Sequence, residues 1–188
     1  TSYTYPVKIN PGFDAVAAGS IMDVTVRQGD SYDVRLRADD NLIDIVKSEK
    51  RGRELRFYTA PGTIIRNGTI QIDIVMPVLL DLDLSGGATV DGAVTARSLA
   101  VECSGGSVCS LRGRAEELDL NASGGSRILL FGVRGAEALV ESSGGSRIEV
   151  SVSTSVRGNA SGGATVVYDG SPRTVRVSSS GGASVRQR

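Results

Sequence analysis

The sequence predicts an all-β fold: a right-handed, single-stranded parallel β-helix, a two-sheet solenoid of about 19 residues per coil, with a less regular N-terminal β region. Three observations predict it. Ser-Gly-Gly recurs six times, as Ser85-Gly86-Gly87, Ser104-Gly105-Gly106, Ser123-Gly124-Gly125, Ser143-Gly144-Gly145, Ser161-Gly162-Gly163 and Ser180-Gly181-Gly182, in steps of 19, 19, 20, 18 and 19 residues. Aligned on the serine, alternate positions on both sides of the tripeptide are apolar or small. Glycine contributes 24 of the 188 residues, and Val, Ile and Thr recur in alternation with polar residues, as in strands joined by tight turns.

Residues 1–79 form the irregular N-terminal region, continuous with the repeat of residues 80–188. In the first part, DVTVRQGDSYDVRLRA alternates on both sides of Gly29 and reads as a hairpin. DDNLIDIVKS follows, with acidic cap candidates and Leu42, Ile43, Ile45 and Val46 at helical spacing, which predicts one short helix. KRGRELRFYT and NGTIQIDIVMP give further strands, with Arg51-Gly52 and Asn67-Gly68 as turn signals. No period is visible before Leu80.

Within the repeat, the inward positions follow from the alternation. Five residues before the serine stand Leu80, Leu99, Leu118, Ala138, Val156 and Val175; three before it stand Leu82, Val101, Leu120, Val140, Gly158 and Val177. Immediately before it come Leu84, Cys103, Ala122, Ser142, Ala160 and Ser179. Beyond the turn, Ala88, Ser107, Ser126, Ser146, Ala164 and Ala183 precede the apolar row Val90, Cys109, Ile128, Ile148, Val166 and Val185. A unit this short cannot cover its own strands, so copies must stack, and rungs lie roughly 4.8 Å apart. Parallel crossovers are right-handed as a rule, which sets the expected hand. Ser-Gly-Gly then forms the corner, because stacked corners leave little room for a Cβ and a sharp turn favours positive φ. A phosphate-cradling role is disfavoured: such loops open a helix and carry a lysine, and here a strand follows.

Composition narrows the function. Lys and Arg number 21 against 21 Asp and Glu, so no global field draws the chain to nucleic acid, and none is expected as a partner. No apolar run is long enough to span a membrane as a helix. The opening TSYTYPVKINPGFD lacks the charged and apolar regions of an export signal, so the chain is either cytosolic or a mature fragment after signal removal. Calcium-binding β-rolls repeat an Asp within the turn, whereas Ala or Ser follows each Gly-Gly here; no metal and no cofactor are expected. Asp83 and Glu102 would stand one rung apart, near the spacing of a retaining glycosidase pair. Any acidic ladder on a solenoid yields that spacing, and the sequence has no histidine and no sign of a cleft, so no catalytic residue is assigned.

The outward positions remain. Two residues before the serine lie Asp83, Glu102, Asn121, Glu141, Asn159 and Ser178, and four after it lie Thr89, Val108, Arg127, Arg147, Thr165 and Ser184. Around the third and fourth corners, Asn121, Arg127, Glu141 and Arg147 offer amide, carboxylate and guanidinium groups suited to sugar hydroxyls or a uronic acid. The plainer alternative is a solvated surface on which Glu141 offsets two stacked arginines. Cys103 and Cys109 flank one corner at inward positions, either as a disulfide across the interior or as two buried thiols filling the place of Leu, Ala, Val and Ile. Asn67, Asn121 and Asn159 fit the glycosylation pattern, but two of these arise from the repeat, and none is read as modified. Only ASVRQR follows the last corner, leaving an open rung that Arg186 and Arg188 protect by charge or that a second copy covers as a homodimer.

The opening PGFDAVAAGSIMDVTVRQGDSYDVRLRADDNLID, the bridge MPVLLDLDLSGGA and the repeated corners resemble, in that order, the auto-transporter adhesin family with a head GIN domain. The resemblance implies an exported bacterial β-helix, similar in shape to pectin lyases without their catalytic residues, at the cell surface, on the outer membrane or in the periplasm. It also implies a role in cell adhesion; the partner expected is a surface glycan or protein. A structural envelope scaffold is the rival expectation.

Overall fold

The computed structural model describes residues 2–60, 62–63, 65 and 68–188 and is all-β, a solenoid with about 19 residues per coil and no helix. Its long strands β9 (Thr89–Cys103), β10 (Val108–Ala122), β11 (Arg127–Ser142) and β12 (Arg147–Ala160) each serve two stacks. The segment before each corner belongs to one wall, hereafter wall A, and the segment after it to wall B. Pairing is parallel and residue-on-residue, so Leu99, Leu118, Ala138 and Val156 stack in wall A and Val90, Cys109, Ile128, Ile148 and Val166 in wall B. In parallel register, equivalent positions of successive coils coincide, which turns the sequence period into continuous internal columns.

The predicted columns are buried through the middle coils. Leu80 is 36% exposed, and in the last rung Val175 is 41% exposed, Ser179 is exposed, and Val177, Ala183 and Val185 are only partly buried. Leu79 takes the inward place next to Leu80, and Val175 lies in β14, which among the described residues is paired on one side.

The N-terminal region is more regular than the sequence suggests. Strand β2 (Ala15–Ala18) pairs in parallel with β8 (Asp81–Leu84), and β3 (Met22–Gln28) with the start of β9. Together they form a coil of the same solenoid. Its corner is Gly19-Ser20-Ile21, with Ser20 at φ 65° where the next corner has Gly86 at 67°. A second layer, β6 (Glu54–Thr59) and β7 (Ile70–Met76), stacks on the far side of β2 and β3. Order in space therefore differs from order in the chain.

Three antiparallel strands close this end. Strand β4 (Asp33–Asp39) pairs with β7, β5 (Val46–Arg51) with β6, and β1 (Ser2–Pro6) with β4. The expected hairpin across Gly29 does not form: β3 and β4 both pair with β7, which lies between them. Alternation identified the two strands correctly, but it carries no information on which strand is the neighbour. The predicted short helix is also absent. Residues 40–45 form turns in which Leu42 and Ile43 N–H groups donate to Asp39 O at 2.8 and 3.1 Å, and those of Ile45 and Val46 to Leu42 O at 3.1 and 3.3 Å. One helical turn buries Leu42, and Val46 then starts β5, so the apolar spacing is used up without propagation. Gly52, at φ 61°, makes the expected turn between β5 and β6. Asn67, and with it the Asn67-Gly68 turn, lies outside the described residues.

Candidate functional site

The corners are architecture. The first glycine of each tripeptide has φ between 65° and 69°, a region that disfavours a side chain. A Cβ at Gly124 would come within 3.0 Å of Gly105 O, and Gly125 N–H donates to that oxygen at 2.7 Å. Beneath the corner the buried serines form a second ladder. Ser126 Oγ donates to Cys103 O and Ser123 O, each at 2.8 Å, and Ser107 Oγ to Ser104 O at 2.9 Å. Each hydroxyl thus ties a coil to itself and to the preceding one.

The four predicted site residues divide between the two walls. Asn121 and Glu141 are register neighbours on the outside of wall A, and Glu141 accepts a hydrogen bond from Asn159 Nδ2 at 2.8 Å. Arg127 and Arg147 are register neighbours on wall B. Arg147 is held by Glu149, with Nε and Nη2 2.7 and 2.6 Å from the same carboxylate oxygen. Among the described residues no hydrogen bond or ion pair joins the wall A pair to the wall B pair. The corner turns the two walls' outward side chains away from each other. Glu149 offsets Arg147, in the role the sequence assigned to Glu141.

Wall A is the acidic face. Asp81 has its carboxyl raised above the usual range by partial burial, then by Asp83, Glu54, Glu102 and Asp119. Asp83 and Glu102 are register neighbours there. Among the described residues, no group of three or more His, Cys, Asp or Glu could hold a metal ion, and no helix is long and apolar enough to cross a membrane. Cys103 and Cys109 are free and buried; burial pushes the Cys103 thiol up to about 12 and the Cys109 thiol well above its ordinary value. Of the two readings, two buried thiols is the one observed.

A broad concavity lies at the opposite bend, where wall B returns to wall A. It is a trough of about 1030 Å³ that includes Arg112, Arg114, Glu116 and Arg134 over a floor containing Gly113 and Gly170. The rows defined by the Ser-Gly-Gly period do not extend to this bend. Its signal was the step of 20 residues followed by one of 18. The additional residue falls in β11 between Leu129 and Gly132, where the register with β10 shifts; the register with β12 shifts again between Leu130 and Arg134, and a bulge of this kind re-aims the side chains around it.

The family description "Putative auto-transporter adhesin, head GIN domain" matches residues 12–172, which take in the coil of β2 and β3 and the first five Ser-Gly-Gly corners. The chain belongs to this family. Among solved structures, the head GIN chain is similar to a putative adhesin of Bacteroides fragilis NCTC 9343 (16% identity, TM-score 0.77, covering 100% of this chain and 97% of that one). It is also similar to a putative adhesin of Parabacteroides merdae ATCC 43184 (16%, 0.59, 100% and 96%). A third is a structure from Parabacteroides distasonis ATCC 8503 described as a putative lipid binding protein (19%, 0.54, 100% and 96%). At these identities the likeness is one of fold. No curated protein matches the chain.

Proposed function

We propose that this head GIN domain is a non-catalytic, adhesin-like module of an exported protein, displayed at the cell surface, on the outer membrane or in the periplasm, and that wall A grips a glycan. The Glu141–Asn159 hydrogen bond carries the reading. With Asn121 in register beside it, it makes a row of amide and carboxylate groups at one-rung intervals, roughly 4.8 Å, suited to successive sugar hydroxyls. Family membership supports adhesion. A glycan array probed with the wild type and with Asn121→Ala/Glu141→Ala tests this. Saturable binding to a defined glycan, lost in the variant, is expected; absence of binding by the wild type overturns it. An Arg127→Ala/Arg147→Ala protein measures whether wall B contributes.

A second reading, assembly, rests on strands β14 (Thr174–Ser179) and β15 (Ser184–Gln187), which among the described residues are paired on one side. We propose that two copies meet end to end at this edge. Sedimentation that stays monomeric at every concentration removes the proposal.

A further inference from the structure

We propose that the bend trough binds an acidic polysaccharide chain, carboxylated or sulfated, at a site separate from wall A. The inference does not depend on glycan binding by the wall.

Charge is the first observation. The chain is neutral as a whole, with 21 basic and 21 acidic residues. It is nevertheless sorted, with Asp81, Asp83, Glu102 and Asp119 gathered around wall A and three arginines against Glu116 in the trough. Arg114 and Arg134 are register neighbours, so their backbones lie roughly 4.8 Å apart with no acid between them in the ladder. Arg114 meets Glu116 at 3.6 Å with both side chains exposed, a weak pair. Arg112 and Arg134 have no ion-pair partner among the described residues. By contrast, Arg147 on wall B is closely held by Glu149. The trough therefore presents guanidinium groups whose charge is not balanced internally, and a guanidinium forks onto carboxylate or sulfate oxygens through paired N–H donors.

Shape is the second. The trough is lined from Ala93 on β9 to Ser171 beyond β13 (Thr165–Asp169), across five successive coils. That is about 19 Å along the solenoid axis at the rung spacing of parallel strands. An open trough of this length suits a polymer better than a small molecule. Its floor stays low because it must: a Cβ at Gly113 would lie 2.0 Å from Val94 O. The hydroxyl-bearing Ser151 and Ser153 also line it, and no aromatic side chain does. Binding of single-stranded nucleic acid leans on aromatic stacking, so the lining favours a glycan.

The probes are fluorescent alginate oligomers for carboxylate, dextran sulfate oligomers for sulfate, neutral dextran, and a single-stranded DNA oligomer, titrated by anisotropy at low and physiological salt. The expected result is saturable binding of at least one acidic glycan, weakened by salt. Arg112→Ala/Arg134→Ala should lose roughly tenfold or more in affinity, consistent with two charge-assisted contacts. Arg112→Lys/Arg134→Lys, which keeps the charge without the fork, should lie between. Arg176→Ala, which removes an exposed arginine outside the trough, should bind the acidic glycans like the wild type, and failure of the wall A reading is read separately on the array. All of these positions are exposed or half-buried on the surface, and thermal melting of each variant verifies folding. The proposal is overturned if neither acidic glycan binds, if the arginine variants bind as the wild type does, or if DNA binds more tightly than both acidic glycans.

Discussion

Gly124 and Gly125 are adjacent in one corner, yet only the first is constrained twice. Gly124 combines φ 67° with a Cβ position 3.0 Å from a neighbouring carbonyl oxygen, whereas a Cβ on Gly125 would find its nearest atom at an ordinary 3.6 Å. Gly124→Ala should therefore cost about 2 kcal/mol or more, and Gly125→Ala well under about 1 kcal/mol, measured by denaturant unfolding. Ser20 supplies the converse case, a serine at φ 65° in a place where the later coils use glycine. Ser20→Gly should raise stability by about 0.5–1 kcal/mol. Cys103 adds a pH dependence. Its thiol, near 9.0 when unfolded, is held at about 12 in the fold. The folded chain thus retains the proton longer. The associated stability is complete below the unfolded value and is lost as pH rises from there toward the folded one, at about 1.4 kcal/mol per pH unit. Cys103→Ala, which places in the column the residue already present at Ala122 and Ala160, should flatten the alkaline slope of unfolding free energy by that amount.

At the scale of the element, the unit is a coil, and a coil is legible only when its corner is spelled in glycine. The six Ser-Gly-Gly corners were read directly because positive φ and close stacking leave few alternatives to glycine. The coil of β2 and β3 was not, because Gly19-Ser20-Ile21 meets the same geometry with a strained serine, and β6 with β7 joins the stack out of chain order. The hairpin across Gly29 failed for a related reason: period-2 alternation fixes which face is buried, while partner choice is set by distant strands. The candidate site was legible to the same degree. Outward ladders follow from the period, but the direction in which each wall faces does not, which is why Asn121 and Glu141 were grouped with Arg127 and Arg147 across a corner that separates them. The trough lies at the bend opposite the corners, beyond the outward rows that the corner period defines. Within a coil, the buried serine ladder makes its own prediction. Ser126→Ala should cost about 1 kcal/mol, the net worth of one hydrogen bond, because Ala88 and Ala164 show that the column accepts a methyl and Cys103 O still receives the Ser123 N–H at 2.9 Å.

The described residues form a quasi-linear stack with unlike ends, and linear stacks distribute their stability by nearest-neighbour contacts. At the N-terminal end, β4 and β5 cover β7 and β6 with antiparallel pairing, and Phe13, Phe57, Met22 and Met76 lie fully buried there. At the other end, Val177, Ala183 and Val185 are only partly buried, although their column mates in the middle coils are enclosed. Each inner rung is hydrogen-bonded on both sides, and the β14–β15 rung on one among the described residues. Opening that last rung alone therefore exposes little apolar surface and breaks a single ladder, whereas opening β10 requires breaking two. Native-state hydrogen exchange should show protection rising from β15 and β14 through β13 to a plateau over β9–β11, with β3 and β7 on that plateau despite their place early in the chain. End-to-end association of two copies would cover the weak rung. Raising the protein concentration should then slow exchange in β14 and β15 selectively, while the central coils remain unchanged. Uniform protection along the stack at low concentration would contradict the nearest-neighbour picture.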